Sequence, residues 1–373
     1  MDFALSDDQI LLQDQVDRAV GELAPVERVA AYVRDGDRAF ATENVWQGLC
    51  SIGVPGLLVP EASGGLGLGI LDAALVAEIM GRHAVPGAFL GPVVAAPLAI
   101  LRAGDAEQQA ELLPRIAEGS LRIAVAVSEQ LSGTRGDAGV RLVDGRLSGS
   151  TQMAVDIAGA DLILTADHAG RLVLVRPDAP GVTRLALNVV DRTRDAACLE
   201  FSGARPEMIL PGNALAAIGA ALRVVLAADL LGAASRMIDM AVAYAKIRNQ
   251  FGRPIGSFQA VKHLCADMAA ELEPGRALVW YAAHAQDVGL PDAALTALYA
   301  KAYLGEAARL AARNATEVHG GIGITEELGL HIWLKRISFG TQLFGGPTRL
   351  REEAAILQGY LGTSVACGRA AAE

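Results

Sequence analysis

The stretch Arg248-Asn-Gln-Phe-Gly-Arg-Pro-Ile-Gly-Ser-Phe-Gln259 interrupts a long helical pattern in this 373-residue chain. Apolar residues recur at helical spacing over residues 224–247 before it and over residues 260–287 after it. Two glycines and a proline inside the stretch are incompatible with a continuous helix. The sequence therefore predicts two antiparallel helices joined by a compact turn.

The turn presents side chains whose chemistry suits a nucleotide. Arginine pairs with phosphate, an aromatic face packs on a ring, and amides exchange hydrogen bonds with both. The side chains concerned are Arg248, Gln250, Phe251 and Gln259. The same residues also suit a polar helix-hairpin tip with no ligand, and side-chain chemistry alone leaves both interpretations open.

Three segments resemble signatures of the acyl-CoA dehydrogenase family, in the family's order. The turn, continued by Ala266-Asp-Met268, resembles one C-terminal signature, and His319-Gly-Gly-Ile-Gly323 resembles another. Val59-Pro-Glu61 followed by Gly64-Gly-Leu-Gly67 is similar to the N-terminal signature. The resemblance spans nearly the whole chain. It implies FAD as cofactor, an acyl-CoA as substrate and electron-transfer flavoprotein as electron acceptor. In that family the turn binds the adenosine diphosphate part of an FAD held mainly by a neighbouring subunit.

Composition excludes several other classes of protein. Hydrophobic residues make up 52% and aromatic residues 5% of the chain, which favours packed helices with aliphatic cores. A net charge of -10 argues against a nucleic-acid partner. We find no signal-peptide pattern and no uninterrupted apolar run of about 18 residues, so we expect a cytoplasmic protein without a membrane span. The four scattered cysteines predict neither a disulfide framework nor a metal site.

The periodic patterns follow one another in three parts. Helical spacing predominates first, beginning after a candidate N-cap at Ser6. Short β-like runs separated by turn dipeptides follow, and helical spacing then returns. We predict an α+β fold with an N-terminal all-α domain (1–120), a middle β-barrel or β-sandwich domain (121–210) and a C-terminal helical bundle (211–373). The resemblance adds that the bundle has four helices and that the assembly is a tetramer.

Both positions at which the family places its catalytic base lack a carboxylate. In the family's reaction a carboxylate takes the α proton of the acyl-CoA while the flavin accepts a hydride from the β carbon. Gly345, in the segment Phe344-Gly-Gly-Pro-Thr-Arg349, occupies the first base position. Leu222, beside Arg223, occupies the second. We therefore predict no catalytic residue in this chain.

The segments expected beside the flavin ring are also altered. Ser128 opens the segment that corresponds to the family's Thr-Glu-Pro-x-x-Gly-Ser-Asp pattern. Met153 stands where an aromatic residue packs near the ring, and Val155 where a threonine hydroxyl bonds near flavin N5. Replacing that hydroxyl with a methyl group removes a hydrogen bond worth about 1 kcal/mol. Together with Arg223, these residues form the expected neighbourhood of the ring and substrate.

The residues expected to complete the FAD site of a neighbouring subunit, here called the cofactor half-site, are better preserved. The arginine, phenylalanine and glutamine of the turn are all present, and Gly320 and Gly321 permit close backbone approach to a phosphate. Glu317 replaces the family's usual glutamine. A carboxylate there would repel a pyrophosphate unless it binds a ribose hydroxyl.

This asymmetry suggests that the chain is the base-less partner in a hetero-oligomeric acyl-CoA dehydrogenase. Its turn would complete the FAD site of a second acyl-CoA dehydrogenase-like subunit, and analogy within the family suggests a steroid side-chain or other bulky acyl-CoA as substrate. One alternative is a non-catalytic scaffold subunit that completes an FAD site. Another is a self-sufficient homotetrameric flavin dehydrogenase or oxidase whose base lies elsewhere. Acids and histidines considered for that base, each also typical of a structural role, are Glu352, Glu353, Asp229, Asp239, His319 and His331.

Overall fold

A computed structural model describes residues 4–37, 39–133 and 138–361, and most of them are helical. The helices are Asp7–Leu23 (α1), Val26–Asp35 (α2), Trp46–Ser51 (α3), Ile70–Arg82 (α4), Ala96–Ala103 (α5), Ala106–Ala117 (α6), Ser128–Ser132 (α7), Leu215–Ile247 (α8), Gln259–Asp287 (α9), Ala293–His319 (α10), Leu330–Gln342 (α11) and Pro347–Leu357 (α12). Two π-helical turns, Phe40–Val45 and Leu90–Ala95, lead directly into α3 and α5. At the chain start, Ser6 Oγ accepts a hydrogen bond from the Gln9 backbone at 3.2 Å, which confirms Ser6 as the N-cap of α1.

The middle of the chain forms one mixed sheet. The strands are Ile123–Ala126 (β1), Gly139–Val143 (β2), Arg146–Val155 (β3), Leu162–Ala166 (β4), Leu172–Val175 (β5), Val182–Ala186 (β6), Ala196–Ala204 (β7), Met208–Ile209 (β8), Asn249–Gln250 (β9) and Arg253–Pro254 (β10). Seven of them follow the order β6-β7-β3-β1-β4-β5-β8, and β2 pairs with β3 as the eighth strand of the same sheet. Only β1 and β4 run parallel among these pairs in the described chain. β9 and β10 form a separate two-stranded ribbon.

This architecture confirms the predicted α+β class. The division at residues 120 and 210 remains a prediction about folding units. The β-like runs in the sequence fall on β1 to β5, at residues 121–127, 139–143, 146–148, 161–165 and 171–175, whereas β6, β7 and β8 were missed. β6 is an edge strand whose side chains are mostly exposed, so it carries no apolar alternation. Cys50, Cys198 and Cys265 are free thiols, and Cys367 lies outside the described residues.

Helix α8 is the central element of the C-terminal bundle. Among the described residues it is the one helix long and apolar enough to cross a membrane, and 83% of its most apolar window is buried inside the protein. It approaches α4 so closely that only glycine fits at the crossing. A Cβ at Gly232 would lie 1.8 Å from the Glu78 carbonyl oxygen, and one at Gly81 would lie 2.0 Å from that of Asp229.

A buried ion network joins the three parts of the chain next to this crossing. The guanidinium of Arg336 binds the carboxylate of Asp229 at 2.6 Å, the Val85 carbonyl at 3.0 Å and the Thr193 hydroxyl at 2.7 Å. Arg194 adds a second contact to Asp229 at 3.0 Å. Burial by itself would raise the pKa of Asp229, but the two arginines outweigh it and hold that pKa below its ordinary value. Asp229 is therefore a structural anion and not a free base.

Candidate active site and cofactor half-site

A cavity of about 260 Å³ lies where the middle sheet meets the C-terminal bundle. It is lined by Ser128, Met153 and Phe344, which sequence analysis placed beside the flavin ring or the first base position. Ser128 Oγ donates a hydrogen bond to the Met153 carbonyl at 2.6 Å and so joins α7 to β3. Val155 is fully buried in the core and is not among the described residues that line this cavity. Of the four residues expected around the ring and substrate, the structure therefore places Ser128 and Met153 in the cavity lining, whereas Val155 and Arg223 lie outside it.

Sequence analysis missed the role of Glu129 in this cavity. Its carboxylate is 7% exposed and accepts hydrogen bonds from the Thr151 hydroxyl at 2.5 Å and from the Gln152 backbone at 2.6 Å. One donor occupies each oxygen, so the carboxylate anchors α7 on β3. The only available indication was its place directly after Ser128 in the altered family pattern.

The first base position cannot hold a base side chain without local rearrangement. Gly345 has φ +111°, a conformation that residues with a Cβ rarely adopt. A Cβ built there would lie 2.8 Å from Leu350 Cδ2. At the second base position, Leu222 is fully buried among apolar neighbours on α8. Neither position offers a titratable group.

Arg223 clamps the elements around the cavity. Its guanidinium, 7% exposed, contacts both oxygens of the Glu353 carboxylate at 2.9 and 2.8 Å. It also donates to the carbonyls of Leu131 at 2.9 Å and Phe344 at 3.3 Å. One side chain on α8 therefore ties together the end of α7, the loop that carries Gly345, and α12. Glu353 is engaged in an ion pair and is not a free base.

The remaining acids and histidines have structural surroundings. Asp239 is exposed and pairs with Arg82 at 2.8 Å. Glu352 lies half-buried on α12. Burial lowers the pKa of His331 on α11. His319 Nδ1 lies 2.7 Å from the Ala315 carbonyl within its own helix, which favours the structural interpretation.

The predicted turn lies at the surface of the subunit. Arg248 ends α8, β9 and β10 form the ribbon, and Gln259 begins α9. Arg248, Gln250 and Gln259 are exposed, and Phe251, at φ +51°, is 92% exposed. Phe251 meets the ring of Phe258 edge-on at 6.2 Å. The turn therefore presents a guanidinium, an aromatic ring and two amides to the outside of the subunit.

The glycine segment after α10 lies beside this turn. The rings of Tyr244 and His319 are 4.7 Å apart, and the Arg248 backbone N–H bonds the Tyr244 carbonyl at 2.9 Å. Gly320 needs glycine because its φ is +65°, whereas a Cβ at Gly321 would meet nothing within 4 Å of the described chain. Open space at Gly321 leaves room for close approach from outside. The exposed carboxylate of Glu317 lies on the last turn of the same helix.

The turn and the ring-side cavity lie at opposite ends of α8. Arg223 and Arg248 are separated by 25 positions, which corresponds to about 37 Å along a helix that rises 1.5 Å per residue. The turn and the cavity neighbourhood of one subunit are therefore far apart along α8.

Two family models match this chain. The acyl-CoA dehydrogenase N-terminal domain matches residues 6–120, and the acyl-CoA dehydrogenase C-terminal domain matches residues 219–354. The chain belongs to the acyl-CoA dehydrogenase family, whose members are FAD-dependent oxidoreductases that act on CH–CH bonds. The exposed arginine, aromatic ring and amides of the turn fit such a dinucleotide.

One relative and two solved structures resemble this chain over most of its length. The acyl-CoA dehydrogenase IpdE2 of Mycobacterium tuberculosis is 35% identical over 312 residues, covering 83% of this chain and 85% of its own length. A solved structure of a variant of the Tcur3481-Tcur3483 steroid acyl-CoA dehydrogenase superposes with a TM-score of 0.87 at 31% identity over 95% of this chain and 98% of its own. The ChsE4-ChsE5 complex from Mycobacterium tuberculosis superposes with a TM-score of 0.86 at 27% identity over 96% of this chain and 99% of its own.

Proposed function

We propose that this chain is the base-less subunit of a hetero-oligomeric acyl-CoA dehydrogenase. The observation that carries the proposal is the backbone at Gly345, whose φ of +111° and contact with Leu350 disfavour any side chain at the family's main base position. The nearby acid that could have replaced the base, Glu353, is bound to Arg223. A second subunit with a carboxylate at its own base position would supply proton abstraction.

In this proposal the exposed turn completes the cofactor site of that second subunit. Arg248 would pair with the pyrophosphate, Phe251 would cover a ring, and Gln259 would hydrogen-bond the adenosine end. Glu317 would accept a hydrogen bond from a ribose hydroxyl, since a carboxylate beside a phosphate is repelled. When bound, FAD supplies the hydride acceptor for the dehydrogenation. The separation of about 37 Å along α8 supports the shared arrangement, because the turn cannot reach the ring-side cavity of its own subunit.

The substrate class rests on the relatives. The Tcur3481-Tcur3483 protein is described as a steroid acyl-CoA dehydrogenase, and both it and ChsE4-ChsE5 pair two different chains. We extend this to a steroid side-chain or other bulky acyl-CoA for the present chain, in a heterotetramer that passes electrons to electron-transfer flavoprotein. Since the residues that contact the acyl group would lie mostly in the second subunit, the selectivity would be set there.

Co-expression with the acyl-CoA dehydrogenase-like gene that lies nearest to the gene of this chain tests the proposal. We expect a complex with about one FAD per two chains that dehydrogenates acyl-CoA substrates. Arg248→Ala should remove most of the bound FAD, because it deletes the cation facing the pyrophosphate. Arg253→Ala is the matched control, since that guanidinium lies over the Phe258 ring at 4.1 Å within the same turn. It should leave the FAD content unchanged.

The alternatives give different results in the same experiment. A homotetramer of this chain alone, with one FAD per chain and activity on acyl-CoA, would show a self-sufficient enzyme and end the proposal. Rapid reoxidation of its flavin in air would identify an oxidase. A complex that retains full FAD and activity with the Arg248→Ala chain would show that the turn does not complete a cofactor site, which would contradict both the proposal and the FAD-site-completing scaffold.

A further inference from the structure

A second, larger cavity shares no lining residue with the turn or with the ring-side cavity. Its volume is about 770 Å³, and it opens between α2, the turn before α3 and the sheet edge at β6 and β7. Small-molecule sites commonly have volumes of about 300–1,000 Å³ and favour domain boundaries. None of its lining residues belongs to the turn, to the ring-side cavity or to the two base positions.

The lining is basic although the chain is acidic overall. Five arginines line the cavity against two aspartates, whereas the whole chain carries a net charge of -10. The lining arginines are Arg34, Arg122, Arg184, Arg192 and Arg194. Two of these charges are already compensated. Arg194 pairs with Asp229 in the buried network, and Arg34 lies 3.7 Å from Asp35. The other three have no carboxylate within ion-pair distance in the described ranges.

Two of the uncompensated arginines are held in place without being neutralised. Arg122 donates to the Thr42 carbonyl at 2.7 Å, and Arg192 donates to the Val33 carbonyl at 3.0 Å. A carbonyl fixes a guanidinium but leaves its full charge and its other N–H donors available. The backbone at Gly159 makes room for one of them, because a Cβ there would lie 2.6 Å from Arg122 Nη2. Arg184 faces the same space from the exposed edge strand β6.

The cavity also offers apolar and ring surface beside the cations. Trp46 lines it, and the guanidinium of Arg122 lies 5.8 Å from the centre of the Trp46 ring. Asp195 is the lining carboxylate without an ion-pair partner in the described ranges. It accepts a hydrogen bond from the Ala158 backbone N–H at 2.6 Å. Guanidinium groups fixed by neutral partners are the side chains that proteins use for phosphate oxygens, through paired N–H donors.

We propose that this cavity binds a small molecule that carries a di- or triphosphate group, held by Arg122, Arg184 and Arg192. The ligand would lie between the N-terminal helices and the middle sheet, separate from the FAD half-site at Arg248. Occupancy would join the segment around Val33 and Thr42 to the sheet, so the ligand would also stabilise the fold.

The test titrates inorganic pyrophosphate into the FAD-loaded complex by calorimetry, so that the half-site at the turn is already filled. We expect binding that weakens about tenfold or more in Arg122→Gln, because charge-assisted hydrogen bonds are lost. Arg184→Gln is the second variant, since this side chain is exposed on β6 and makes no hydrogen bond or ion pair with the residues that the structure describes. Arg146→Gln is the matched control. Arg146 lies on the same sheet and donates to the Gly203 carbonyl at 2.9 Å, but it lies outside the cavity.

Three outcomes would overturn the proposal. Pyrophosphate could fail to bind the loaded complex, or it could bind the wild type and both cavity variants equally. The affinity could also fall in Arg248→Gln while Arg122→Gln and Arg184→Gln remain unchanged. This last result would mean that pyrophosphate binds at the Arg248 turn. Failure of the shared FAD site itself would appear instead as a low flavin content of the complex.

Discussion

The guanidinium of Arg223 and the carboxylate of Glu353 meet through two contacts, at 2.9 and 2.8 Å, from helices 130 residues apart in sequence. The arginine is 7% and the glutamate 33% exposed, so the pair sits at the edge of the interior. The pair lies beside the loop that carries Gly345, the first position at which members of this family hold their catalytic base. Substitution of either partner tests the role of the ion pair directly.

Glu353→Gln should lower the free energy of unfolding by about 2 kcal/mol, because it leaves Arg223 buried without its counter-charge. Urea unfolding of the purified chain measures this loss. Glu306→Gln is the control: it removes an ion pair with Arg351 whose partners are both 52% exposed, and it should cost under about 1 kcal/mol. In the complex, Glu353→Gln should retain activity within a few-fold. A fall of about a hundredfold or more would identify Glu353 as the base and contradict our assignment.

Gly345→Glu should not create an active site in this chain. The backbone at φ +111° and the contact with Leu350 Cδ2 make the substitution strained, at a cost of about 2 kcal/mol or more. Unfolding titrations and acyl-CoA dehydrogenase assays of the complex report both effects. Gly346→Ala serves as a comparison, because its φ is -75° and its Cβ would meet only the flexible Gln342 side-chain end. A gain of turnover in Gly345→Glu would show that the loop adapts and that our account is wrong.

Lys301 on α10 should make the stability of the chain depend on pH. Its ammonium group is fully buried and donates to the Thr341 carbonyl at 3.0 Å. Desolvation, assisted by nearby Arg223 and opposed by Asp229, lowers its pKa from 10.5 to about 7. The neutral amine is therefore favoured in the folded state. Its folding penalty is absent above pH 10.5, grows as the pH falls towards 7, and is fully present below that.

Lys301→Met should accordingly raise the free energy of unfolding at pH 7. The difference between wild type and variant should shrink by about 2 kcal/mol between about pH 7 and pH 9. Urea titrations at the two pH values give this difference, and Lys262→Met at an exposed position of α9 should show almost none. A difference that does not change with pH would mean that Lys301 stays charged in the folded protein.

Asp229→Asn should destabilise the chain by about 3 kcal/mol, since two buried arginines lose their shared anion. The two arginines hold the pKa of Asp229 below its ordinary value, so its stabilisation is present at neutral pH and disappears only in acid. Thermal unfolding at neutral pH should show a clear loss. Asp239→Asn, at an exposed pair with Arg82, should change little. Equal effects of the two variants would show that the network does not hold the three parts together.

Much of the fold was predictable because it follows from short-range patterns. The turn at residues 248–259 was expected from its glycines and proline, and Ser6 was identified as a cap from its own type and neighbours. These features depend on residues within about one helical turn of each other. β6 was missed because an exposed edge strand carries no apolar period.

The candidate site was predictable from the sequence only at positions where the residue type alone decides the chemistry. A glycine and a leucine cannot move protons, so the missing base at Gly345 and Leu222 was visible in the sequence. The prediction that Val155 lies beside the flavin depended on the direction in which its side chain points. Val155 is fully buried and lies outside the lining of the ring-side cavity, and its role beside a flavin stays a prediction. Burial and cavity lining depend on packing between distant segments, which a local pattern does not reveal.

The sequence by itself determined the family, the order of helical and β segments, the turn at residues 248–259 and the absence of a carboxylate at both base positions. Only the tertiary structure decided that Glu353 is bound to Arg223, that the Gly345 backbone is unsuited to a side chain, and that arginines from distant segments line one cavity. The reason is physical. Residue types and short periods are properties of neighbouring positions, whereas ion pairs, steric contacts and cavities arise from packing between segments far apart in the chain.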